Sequence, residues 1–106
     1  MTAEPCCRVT NLPGPSDARV EDLAAAFRLL GDPTRLKLLG ILARRDCEEV
    51  CACDLSDALH LTPATISHHM KKLVEADIVA VERRGRWAHY RLLPDAFTPL
   101  RQALEL

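Results

Sequence analysis

The sequence predicts a mainly α-helical domain carrying a β-hairpin wing, an α+β winged helix-turn-helix, and three observations predict it. Thr62-Pro63 opens a stretch to Ala76 in which Ile66, Met70, Leu73 and Val74 recur at the spacing of one buried helix face. A shorter helical segment, Asp54 to His60, precedes it across a tight turn at Leu61, and two short helices so joined form a helix-turn-helix. Ile78 to Arg83 and Trp87 to Leu92 then read as two strands around Arg84-Gly85-Arg86.

The elements follow in order. Met1 to Pro15 holds three prolines, a glycine and no helical periodicity, so residues 1–15 are expected to form a flexible arm bearing Cys6 and Cys7. Residues 16–106 are expected to form one DNA-binding and dimerisation domain. Ser16 or Asp17 caps a first helix through Leu23, Phe27 and Leu30, stopped by Gly31. Asp32-Pro33 repeats the cap-then-proline signal and starts a second helix, with Leu36, Leu39, Ile41 and Leu42 as its apolar face, ending near Arg44-Arg45. Asp46 to Ala52 is a connector. Thr62 caps the recognition helix, with Pro63 at the first helical position, where its missing N–H costs nothing. Pro94 or Asp95 opens a last helix through Phe97, Leu100, Leu104 and Leu106, against which Pro99 argues. The terminal helices carry more apolar surface than so small a monomer hides, which predicts a homodimer paired through them.

At 106 residues the chain is one small domain, and with 4% aromatic residues its core must be aliphatic. No apolar run is long enough to span a bilayer, and Met1 to Leu12 lacks the hydrophobic core of a signal peptide. A cytoplasmic protein without a membrane partner is therefore expected. Net charge is −1, but Thr62 to Leu92 carries six basic residues against three acidic ones, leaving a +3 patch on a −4 body.

That patch sits where a helix-turn-helix meets double-stranded DNA. Thr65, Ser67, His68 and His69, near the start of the recognition helix, are the candidate readers of bases or nearby phosphates. Lys71 and Lys72, with Arg84 and Arg86 of the wing, suit phosphate, where they add affinity without sequence information. His60 is placed at a helix end and His89 on a strand face.

Five cysteines remain, at positions 6, 7, 47, 51 and 53. A cytoplasmic setting argues against a disulfide framework. Cys47, Cys51 and Cys53 fall within seven residues, which scattered buried cysteines would not do. Thiolates select soft ions, and Cys51 and Cys53 stand just before a helix N-terminus, whose partial positive charge favours the thiolate. In an extended segment residues two apart point the same way, whereas in a helix they lie ~200° apart and share one ion only by unwinding. Binding there is expected either to pin or to distort the helix that supports Thr62 to Ala76.

Phe27 to Leu39 (FRLLGDPTRLKLL), Val50 to Leu55 (VCACDL) and Thr65 to Leu73 (TISHHMKKL) together resemble the ArsR/SmtB family of metal-sensing repressors, over roughly Leu23 to Leu92. The resemblance implies a dimeric winged helix that holds operator DNA when metal-free and releases it on metal binding. Cys51-Ala52-Cys53-Asp54 is similar to the family's thiolate box. Arsenic-sensing members of one branch have a third cysteine where this chain has Ser56. The cadmium- and lead-sensing branch completes the box from the N-terminal arm, a role open to Cys6 and Cys7. A further arsenic-sensing branch pairs an adjacent Cys-Cys on the arm with a cysteine after the second helix, where Cys47 falls. The chain thus holds parts of two sites, and the inducer implied is Cd(II), Pb(II) or As(III), with no organic cofactor. The zinc site that some members build between C-terminal helices is not expected, because Pro94 to Leu106 has no histidine or cysteine. Two alternatives remain: a thiol-redox repressor of the same shape, and a small thiol oxidoreductase, against which stands the lack of a Cys-x-x-Cys pair.

Overall fold

The computed structural model describes residues 17–46 and 48–104. The expected arm, with Cys6 and Cys7, and the lone position Cys47 lie outside the described residues.

Helix α1 spans Asp17–Leu30 and α2 spans Pro33–Arg44. The Asp32 carboxylate accepts the Arg35 backbone N–H at 3.0 Å, so the cap read from Asp32-Pro33 is present. A two-residue strand β1 (Val50–Cys51) leads directly into α3 (Ala52–Leu59), and α4 (Pro63–Glu75) follows. At the end of α3, His60 adopts a left-handed conformation (φ 55°, ψ 42°) that turns the chain toward α4. Thr62 caps α4, accepting the Thr65 N–H at 3.2 Å. Strands β2 (Val79–Arg84) and β3 (Trp87–Leu92) form the wing, turning at Gly85, whose φ of +63° suits a residue without Cβ.

The sheet is antiparallel in the order β1-β3-β2, so β1 adds a third strand to the two-stranded wing that the sequence predicts. Val50 pairs with Tyr90 and Cys51 with His89. Val50, Tyr90, Ala88 and Val79 turn inward and pack with Leu38, Leu39, Leu42, Leu55, Ile66, Met70, Leu73 and Ile78 in one core. Ile66, Met70 and Leu73 of α4 have no solvent exposure, so the core fixes the recognition helix along its whole inner face. Burying each such side chain contributes about 1.5–3 kcal/mol.

Two expectations need correction. Leu36 is 54% exposed and Leu38 is fully buried, so the face of α2 is rotated from the one read in the sequence. Leucine or isoleucine at positions 36, 38, 39, 41 and 42 makes α2 apolar almost all round, and its packing on β3 and α4 selects the face. The last helix is also split: a 3-10 turn over Pro94–Phe97 is followed by α5, Thr98–Ala103. Pro94 is the first residue of its segment and Pro99 the second of its own, positions where the missing N–H is not needed.

Candidate metal centre and nucleic-acid interface

Cys51 is both the last residue of β1 and the N-cap of α3, with extended backbone (φ −66°, ψ 141°). Its Sγ accepts the backbone N–H of Cys53 at 3.3 Å. Helix α3 thus begins at Ala52, two residues earlier than the sequence suggests, because a sulfur serves as the capping acceptor. Cys53 lies inside the first turn, while Cys51 remains outside the helix. That half-in geometry brings the two side chains together, with Cα atoms 5.2 Å apart, and the ~200° divergence expected of two helical residues does not arise.

The sequence leads to an expectation of reduced thiols; the structure joins Cys51 and Cys53 as a disulfide. The cause is this convergence, which places both sulfurs within bonding reach. In the reduced form the same convergence gives two soft donors beside a half-buried helix N-terminus, an environment that favours thiolate and suits a thiophilic ion. Among the described residues no group of three or more Cys, His, Asp or Glu side chains is arranged to hold an ion. Ser56 serves the turn instead of an ion. Its hydroxyl donates to the Leu61 carbonyl, while Leu61 N–H donates back to the Ser56 carbonyl at 3.2 Å, closing the α3–α4 connection.

On α4 the predicted DNA contacts divide. Ser67, His68, Lys71 and Lys72 are exposed. The Thr65 hydroxyl lies 2.9 Å from that of Thr62, within the cap. Ser67 lies against the phenol of buried Tyr90, whose pKa is raised by burial and opposed by the charge of Arg83 and by Ser67. His69 is half-buried, and its Nδ1 sits 3.4 Å from Arg35 Nη1. Arg35 Nε also donates to the Leu29 carbonyl at 2.6 Å, so one guanidinium ties the end of α1 and the start of α2 to the recognition helix. No local pattern marks Arg35 for this role, since His69 lies 34 residues away in the chain.

In the wing, Arg86 stacks over the Trp87 ring at 5.8 Å. Arg84 pairs with Glu49, just before β1, and with Glu82 at 3.4 Å. The hydrogen bond to Glu49 is the main cause holding the Arg84 pKa above its ordinary value, with burial opposing it. Glu49 is absent from the sequence reading because nothing local links it to a residue 35 positions later.

Residues 32–81 match the pattern of the bacterial regulatory proteins of the arsR family. An arsenical resistance operon repressor from Staphylococcus xylosus is 34% identical over 86 residues, covering 81% of this chain and 80% of that protein. Among solved structures, the AntR antimony-specific transcriptional repressor superposes with a TM-score of 0.69 at 30% identity, over 84% of this chain and 79% of that one. The homodimeric winged helix-turn-helix DNA-binding domain of a possible ArsR-family regulator from Mycobacterium bovis gives 0.65 at 25% identity, over 79% of each chain.

Proposed function

The chain belongs to the arsR family of bacterial regulatory proteins, and from that premise we propose that it is a homodimeric, cytoplasmic repressor that holds operator DNA until a thiophilic ion binds its cysteine thiolates. The observation that carries this reading is the meeting of Cys51 and Cys53 at the junction of β1 and α3, the helix that immediately precedes the recognition helix. The reduced pair supplies two thiolates, and Cys6, Cys7 and Cys47 supply the remaining donors, residues 1–15 acting as the arm that delivers the first two. A bound ion supplies a soft Lewis acid that draws these sulfurs together. Trivalent arsenic is the first inducer to test, in view of the arsenical relative, with Cd(II) and Pb(II) as the other two. A tenfold to hundredfold loss of operator affinity needs only ~1.4–2.8 kcal/mol of coupling. Thiolate–metal binding energies are of order 10 kcal/mol, ample for the purpose.

DNA is held through α4 and the wing. Lys71, Lys72, Arg84 and Arg86 meet phosphates, and Thr65, Ser67, His68 and His69 face or position the base-reading surface. Dimerisation is supported by apolar side chains exposed at both ends of the chain, Val20 and Phe27 on α1 and Leu104 after α5. A dimer predicts an inverted-repeat operator with half-sites about one helical turn, or a multiple, apart.

The disulfide favours a second reading, a thiol-redox repressor, in which two thiols pass two electrons and two protons to an oxidant such as a peroxide. Operator titration in excess reductant separates the two. Release by As(III), Cd(II) or Pb(II) under those conditions supports the ion sensor; release only after oxidation supports the redox switch.

A further inference from the structure

We propose that Glu49 and Arg84 are positioning residues that carry the state of the thiol pair to the wing, so that the wing, and not α4 alone, answers to ion capture. This rests on the proposed function and specifies its route.

Helix α4 is poorly suited to be the moving part. Its inner face is fully buried at Ile66, Met70 and Leu73, its N-terminus is capped by Thr62, and Arg35 ties it to α1 and α2. Nor must α3 unwind to bring Cys51 and Cys53 together, because Cys51 already lies outside the helix. The segment 49–51 is different. It is an edge strand, paired through Val50–Tyr90 and Cys51–His89; Val50 is anchored in the core, whereas Cys51 is half-buried and Glu49, at the outer end, is held by its ion pair to Arg84. Arg84 ends β2 at the tip of the wing, opposite Trp87. A shift of Cys51 toward donors from outside the sheet therefore moves Glu49, its second neighbour, and with it the carboxylate that fixes the Arg84 guanidinium. Because two glutamates already neutralise Arg84, its orientation toward phosphate depends on where Glu49 stands.

The chain has a single tryptophan, Trp87, 37% exposed in the wing, which makes its emission a reporter of that element alone. The test adds arsenite to the reduced, DNA-free full chain while counting the thiols it protects, and then measures operator affinity with and without arsenite. The wild type is expected to change Trp87 emission in step with thiol protection. Glu49→Gln and, independently, Arg84→Gln are expected to protect the same number of thiols but to show a smaller Trp87 response. The loss of operator affinity caused by arsenite should shrink in Glu49→Gln by up to about fivefold, the size an exposed ion pair carries. Glu82→Gln, whose carboxylate belongs to the wing itself, should leave that coupling unchanged. Wild-type release with a silent Trp87, or coupling in Glu49→Gln equal to wild type, overturns the route while leaving the ion sensor standing. Absence of thiol protection in the wild type by arsenite, Cd(II) and Pb(II) alike overturns the proposed function itself.

Discussion

Replacing Arg35 by methionine removes a guanidinium while keeping most of the apolar stem. The structure gives that guanidinium two partners across the helix junction, the Leu29 carbonyl at 2.6 Å and His69 Nδ1 at 3.4 Å. A hydrogen bond from a charged donor is worth about 1.5–3 kcal/mol, and the longer contact to His69 adds little because it lies near the outer limit of such bonds. The expected loss is therefore roughly 2–3 kcal/mol, dominated by the stranded Leu29 carbonyl. In a domain of this size that corresponds to a fall of roughly 10–20 °C in Tm. Urea unfolding at one fixed protomer concentration is the assay, because dimerisation makes the apparent stability concentration-dependent. The midpoint should drop with the slope unchanged, and His69→Leu should cost well under half as much. A loss below about 0.5 kcal/mol for Arg35→Met, the scale of an ordinary surface substitution, would refute the tie that Arg35 makes to the end of α1.

Three further outcomes follow from the same contacts. Thr62→Ala removes the acceptor of the Thr65 N–H and should cost about 1 kcal/mol in urea unfolding, whereas Thr62→Ser should cost much less. Lys71→Ala should weaken binding evenly across operator variants and reduce the slope of log K against log salt by about one; a changed operator preference would contradict a phosphate role. The Asp32 carboxyl is held below its ordinary pKa of 3.8, first by the Arg35 backbone N–H, with burial opposing and the Arg35 charge adding to the drop. A lowered folded-state pKa stabilises at neutral pH and loses that contribution as pH falls through the acid range. The stability difference between wild type and Asp32→Asn should thus be constant from about pH 5 to 8 and shrink below about pH 4.

What is legible in the sequence is what local chemistry decides. The Asp32-Pro33 and Thr62-Pro63 signals place the starts of α2 and α4 correctly, and the spacing of Ile66, Met70 and Leu73 identifies the buried face of the recognition helix. Strand β1 is not legible, because two residues carry no periodicity and Val50 and Cys51 become a strand only by pairing with β3. The true start of α3 escapes a sequence reading because cysteine is not among the residues that usually cap a helix. At the site, residue types point to sulfur chemistry and a basic surface, and that much needs no coordinates. Which contacts those side chains make depends on long-range partners: Tyr90 for Ser67, Arg35 for His69 and Glu49 for Arg84. None of these pairings leaves a trace in sequence spacing.

The decisive measurement is operator binding by the Cys51→Ser/Cys53→Ser double variant, under reducing conditions, with increasing arsenite, Cd(II) or Pb(II). Serine retains an oxygen to cap α3, so the variant should fold and hold the operator with affinity close to wild type, yet keep its grip at ion concentrations that free the wild-type complex. Release of the variant at the same ion concentration as wild type would mean that this pair of sulfurs does not govern the hold on DNA.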